Sequence, residues 1–173
     1  MSQNITIKTT PEGLTEKLKN ARAVVNKALA RELTRQLLYT TGRIQENRMT
    51  GKGPFPASEH RLGLVSGRLR RSVRSTAATV VDGVVTGAIG SNVKYMGVHE
   101  FGGSTAPHII EPKRLGKSLR FMIGGRVVFA KMVKHPGSRF PARAPIFTGI
   151  QERESQIGNA LTRAVSEALE EKS

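Results

Sequence analysis

The sequence predicts an α+β fold: a long N-terminal helix, a mostly antiparallel sheet built from two hairpins, and a closing C-terminal helix. Three observations carry this. Apolar residues recur every three or four positions over residues 14–37 and again over 146–169, as one buried helix face requires. Two stretches rich in β-branched and apolar residues each fold back on a two-residue turn signal, Asp82-Gly83 and Gly124-Gly125. The order helix, strands, helix leaves the strands adjacent in sequence, which suits antiparallel pairing. No internal repeat divides the chain, and 173 residues are enough for one core, so residues 1–173 read as a single domain.

The first helix is assigned to residues 10–49. Thr10-Pro11-Glu12 supplies a hydroxyl cap, a proline at the first helical position and an acid facing the helix dipole. Leu14, Leu18, Ala21, Val25, Leu29, Leu33 and Leu37 then form one stripe, and Ile44 keeps its phase beyond Thr40-Thr41-Gly42. At about 1.5 Å per residue such a helix exceeds ~50 Å, whereas a compact chain of this length has a radius of gyration of roughly 15–16 Å. The helix therefore breaks near Gly42 or outgrows its own globule and packs on another subunit; the phase of Ile44 favours continuation. Residues 50–67 read as loop, from their glycines, Pro54 and Pro56, and lack of periodicity. Lys52 among glycines suggests a phosphate loop, but the Gly-x4-Gly-Lys-Ser/Thr spacing is missing and no strand precedes it.

Residues 68–135 are assigned as β-rich. The second hairpin, turning at Gly124-Gly125, pairs Phe121 with Val128 on one face and Met122 with Val127 on the other. Both faces are apolar, so one covers the core and the other is free to meet a neighbour. Residues 145–171 form the closing helix, with Ile146, Ile150, Ile157, Leu161, Val165 and Leu169 on its apolar side.

Charge sets this chain apart. Twenty-eight Lys+Arg against 13 Asp+Glu give +15. Between Glu111 and Glu152 nine cations meet no acid, and "SGRLRRSVR" gathers Arg68, Arg70, Arg71 and Arg74. From Gln151 onward the sign reverses, with five glutamates against three cations. Such polarity implies an acidic partner: nucleic acid, a membrane surface or an acidic protein. With no cysteine, disulfides and thiolate chemistry are excluded. No apolar run approaches the ~18 residues of a membrane span, and "MSQNITIKTT" lacks the pattern of a signal peptide. A soluble protein that stays where it is made is the expectation.

"VKYMGVHEFGG" holds an adjacent His99 and Glu100, the opening of a zinc-peptidase helix. That chemistry needs a second histidine one turn later, so that two imidazoles share a face; the position is Gly103. His60, His108 and His135 have no ligand-like spacing. Paired-carboxylate catalysis finds only Asp82, Glu100 and Glu111 in the middle of the chain, with Asp82 used by its turn. No Gly-x-Ser-x-Gly elbow is present. The reading is non-enzymatic, with no metal. Nucleic-acid binding has the arginine cluster in its favour, but aromatics are 5% of residues and offer no stacking platform. A basic DNA-binding protein that coats or packages a genome is the alternative reading.

Three segments in order, "SGRLRRSV", "VKYMGVHEFGG" and "HPGSRFPARAPIF", resemble the tail-completion and neck proteins of tailed bacteriophages, the virion-morphogenesis and minor-tail-protein families. The resemblance covers roughly residues 66–147 and departs from the family pattern where Ile146 separates Pro145 from Phe147. It implies a structural virion protein without enzymatic activity or cofactor, made in the bacterial host cytoplasm, that forms a homo-oligomeric ring (commonly a hexamer) at the head-proximal end of the tail. Its implied partners are itself and neighbouring neck or connector, tail-terminator or tail-tube proteins, with non-specific DNA contact and no membrane. Within this frame Tyr95, Val98 and Phe101 dock a short helix or turn into the core, and Gly102-Gly103 lets the chain leave sharply. His99-Glu100 then faces a neighbour or solvent. "PGSRFPARAP" reads as an extended arm whose Arg139 and Arg143 meet an acidic surface. Met122 and Val127, with Arg68, Arg70, Arg71 and Arg74, are the remaining interface candidates.

Overall fold

A run of residues with good helix propensity and no proline carries α1, Leu14–Asn47, without a break at Gly42. The computed structural model describes residues 14–170 other than residue 115; the start signal at Thr10-Pro11-Glu12 lies outside them, as do the side chains of Leu14 and Leu18. The helix has 34 residues, about 50 Å at its standard rise. Thr34, Thr40 and Thr41 return their hydroxyls to the carbonyls of Ala30, Gln36 and Leu37 at 2.7–2.8 Å. These bonds let the hydroxyls of Thr40 and Thr41 be buried inside the helix packing without losing a partner.

A long hairpin lies along this helix. After the short helix α2 (Arg68–Ser72), which the sequence reading had assigned to the β-rich region, come β1 (Val73–Ser75), β2 (Thr79–Val81), β3 (Val84–Thr86) and β4 (Ile89–Ser91). β2 pairs with β3 and β1 with β4, all antiparallel. The tip turns at Asp82 and Gly83, with φ of 52° and 81°, the left-handed pair that a tight hairpin needs. Three contacts fix the hairpin along α1: Gln45 Nε2 donates to Val73 O at 2.9 Å, Ala78 N to Thr34 Oγ1 at 2.9 Å, and Arg22 to Asp82 O at 3.2 Å. The span from residue 45 to residue 22 is roughly 35 Å of helix. The helix thus does not leave its own chain unaccompanied, as a reading from length alone suggested.

After α3 (Met96–Phe101), a second ribbon occupies residues 103–140. Its strands nest inward: β5 (Gly103–Ser104) with β10 (Arg139–Phe140), β6 (His108–Ile110) with β9 (Val133–His135), and β7 (Leu119–Ile123) with β8 (Arg126–Ala130). The expected pairs Phe121–Val128 and Met122–Val127 are both present. Among the described residues the strands form five two-stranded pairs and no continuous sheet, because each hairpin folds on itself and none lies edge to edge with another.

The chain closes with α4 (Pro145–Gln151) and α5 (Glu154–Glu170), two helices where one was expected. The break falls at Glu152-Arg153, whose side chains are drawn onto α1. Arg48 pairs with Glu152, while Arg153 donates to Thr40 Oγ1 at 3.1 Å and Gln36 Oε1 at 2.8 Å and stacks over the Tyr39 ring. α5 then packs along α1. Its buried residue is Ala168, while Leu169 is 47% exposed. The core sits at the C-terminal end of α1, where Ile44, Met49, Leu62, Val73 and Met96 meet, with Leu69, Ile89, Ile146 and Ile150 packed against them. Ile44 is only 1% exposed. α4 crosses it so closely that a Cβ added at Gly149 would lie 2.5 Å from Ile44 Cγ1. Among the described residues no helix is long and apolar enough to cross a membrane.

Candidate functional site

The second and third of the family-like segments meet in space. Glu100, at the end of α3, directs its carboxylate at the start of α4: Ile146 N donates to Oε2 at 3.1 Å and Phe147 N to Oε1 at 2.7 Å. A helix start carries amide hydrogens with no partner within the helix and a partial positive charge, and a carboxylate satisfies both. The expectation that His99-Glu100 faces a neighbour or solvent is therefore corrected. Glu100 is a cap across 46 residues of sequence, and a helix start beginning with Pro145 supplies no side-chain cap of its own.

Arg143 is the second tie. Its Nη1 donates to the carbonyls of Phe55 (2.7 Å), Pro56 (3.0 Å) and Arg61 (3.3 Å). Its own carbonyl accepts from His60 Nδ1–H at 2.7 Å, and its amide donates to His99 O at 2.8 Å. One residue thus binds the 50–67 loop to α3 and α4. The reading of Arg143 as an arm cation free for an acidic partner is corrected, because its Nη1 is held by three carbonyls of its own chain. Arg139 behaves differently. It lies in β10 opposite Ser104, is exposed, and belongs to no ion pair or side-chain hydrogen bond among the described residues.

His99 is half-buried beside this tie. Burial first, and the nearby Arg143 charge second, hold its pKa below the ordinary histidine value of 6.5. Tyr95 meets it edge to face at 6.2 Å between ring centres. Gly102 follows α3 with φ 75°, and an added Cβ there would meet Ala142 N at 2.9 Å and Phe140 O at 3.0 Å. The sharp exit expected at Gly102-Gly103 is present at Gly102. The aromatic anchors are corrected: Met96 is buried at 5%, whereas Phe101 is 83% and Tyr95 43% exposed. Phe101 joins Met96, Val93, Ile146, Phe147 and Ile150 around an open apolar groove of about 520 Å³.

The four arginines of the cluster differ in setting. Arg68 and Arg71 sit one turn apart on α2, Arg70 is half-buried, and Arg74 lies in β1 opposite Gly90. Arg71 donates back to Ser66 O at 3.3 Å. Met122 and Val127, the other interface candidates, stand on the outward face of the ribbon at 70% and 44% exposure, with Phe129 at 65% on the same face. On the opposite face Leu119, Phe121, Val128 and Ala130 are half-buried, while Ile123 and Arg126 beside the turn are exposed.

The groove at Phe101 and Phe147, the α4 crossing at Gly149 and the Arg153 ties were not read from the sequence. Gly149 carried a usable signal, since a glycine between Ile146 and Ile150 in a helix marks a close approach. Among the described residues no group of three or more His, Asp or Glu side chains is placed to hold a metal ion. No protein-family model, no curated protein and no solved structure matches the chain.

Proposed function

We propose that this chain is a non-enzymatic structural protein of a tailed-bacteriophage virion, a ring subunit at the head-proximal end of the tail that completes the tail and joins it to the head through the neck. The observation that carries the reading is the division of labour among the family-like segments. Glu100 and Arg143, two charged residues of these segments, hold helices and a loop together. The exposed apolar surface is left elsewhere, at the Phe101–Phe147 groove and on the ribbon. A protein with separate uncovered apolar patches suits a ring subunit, which meets the next copy through one surface and a neighbouring virion protein through another. Six copies are the number that the resemblance implies.

Mass measurement of the purified protein over a concentration series, with negative-stain imaging, tests this. The reading expects a closed ring whose mass is a whole multiple of 18.8 kDa, alone or on addition of tails lacking the chain. A protein that stays monomeric in both cases contradicts it. The DNA-binding alternative keeps one observation in its favour, the +15 charge. It requires tight duplex binding with a steep dependence on salt.

A further inference from the structure

We infer that the outward face of the 103–140 ribbon is the seat of an acidic protein with an apolar centre, rather than of nucleic acid or a second copy of this chain. The inference deepens the proposed function and rests on it for the occupant being a neighbouring virion protein. The surface chemistry itself comes from the ribbon.

A two-stranded ribbon is marginally stable in water unless something covers it. Here one face is half-buried except beside the turn, where Ile123 and Arg126 are exposed, and the other presents Met122, Val127 and Phe129 side by side with Arg120. Exposed apolar strips of this kind mark surfaces that a partner covers. The ribbon also holds eight lysines and arginines against the single Glu111, a net +7. All eight are exposed, and the ion pairs among the described residues lie elsewhere, at Glu32–Arg35, Arg48–Glu152 and Glu59–Arg61. Cations left unpaired around an apolar strip describe half of an interface, with a greasy centre and a charged rim.

Charge decides among occupants. The chain's +15 less the ribbon's +7 leaves +8 on the rest, so a second copy opposes the ribbon with like charge. Its acidic stretch, α5, offers Glu154, Glu167 and Glu170 against Arg163, a net −2 that is too small to answer +7. A phosphate backbone would satisfy the cations but would leave Met122, Val127 and Phe129 facing a polyanion. One aromatic on the strip makes no stacking platform for bases. Only a surface that is both acidic and apolar answers all of these side chains.

The test uses the full chain and three labelled probes in fluorescence anisotropy over a salt series: an alternating Glu/Leu peptide, poly-glutamate of equal charge, and a random-sequence DNA duplex of equal charge. The Glu/Leu peptide is expected to bind at least about tenfold tighter than either other probe at physiological salt. Met122→Ser with Phe129→Ser removes that preference while leaving poly-glutamate binding unchanged, and Val127→Thr, which keeps strand propensity, weakens it in the same direction. Arg120→Glu with Arg126→Glu weakens all three probes. Duplex binding as tight as peptide binding, or an undiminished preference in both apolar variants, overturns the inference. Because the readout is probe binding and not assembly, a missing ring would count against the proposed function alone.

Discussion

Arg139 and Arg143 are four residues apart in one basic segment, yet they belong to two different kinds of surface. Arg143 gives its guanidinium to three backbone carbonyls and lies half-buried in the tie between the loop, α3 and α4. Arg139 stands exposed at the root of the ribbon with no internal partner among the described residues. Of these two neighbouring cations one is committed to the body and the other is left for the surface. Residue type does not distinguish the two surfaces; what the backbone brings within reach does.

The strongest way to break the body is at its tightest contact. Gly149→Val places a side chain against Ile44, which is 1% exposed and cannot move aside. A loss near the top of the ~1–3 kcal/mol overpacking range is expected, read as a lower midpoint in denaturant. A midpoint within error of the wild type would show that α4 does not bear on the core. Next comes the arginine pair. Arg143→Ala leaves three carbonyls short of a donor and should cost about 2 kcal/mol, whereas Arg139→Glu should stay within about 0.5 kcal/mol. Equal effects in thermal melts would erase the distinction between body and ribbon.

Glu100→Ala tests the cap and should cost about 1 kcal/mol, with Glu100→Gln recovering part of it because an amide oxygen still accepts. Melts that show no loss in the alanine variant would remove Glu100 from the tie. The smallest effect concerns His99. Its folded-state pKa is lowered by burial and by Arg143, so the unfolded chain binds the proton more readily. Stability is then full above the unfolded value near 6.5 and declines as pH falls towards and through the lower folded value. The wild type should lose melting temperature faster than His99→Gln between about pH 7 and 5; parallel curves would contradict this.

Legibility in the sequence followed the range of the physical signal. The stripe that ends at Leu37 and Ile44, the turns at Asp82-Gly83 and Gly124-Gly125, and the register of Phe121 on Val128 are local patterns. The turns and the register were read directly and are present, and of the stripe Leu37 and Ile44 are buried while Ala21, Val25, Leu29 and Leu33 are half-buried. Single polar side chains were harder. Glu100 finds its two amides 46 and 47 residues away, and Arg143 its carbonyls more than 80 residues away. Nothing in a one-dimensional pattern tells a spent charge from a free one. Hence Arg143 was grouped with Arg139, and Phe101 was placed in a core that Met96 occupies. The split of the last helix failed for the same reason, since Arg153 is drawn to Gln36 and Thr40 by contacts that span the chain.

Amide hydrogen exchange, measured on the free subunit and again on the chain inside assembled particles, bears most directly on the account. The account predicts strong protection around Ile44 and Val73 in both samples, with fast exchange of Ile109, Phe121 and Val128 in the free subunit that slows markedly on assembly. A ribbon as protected as α1 when free, or unchanged once assembled, would contradict it.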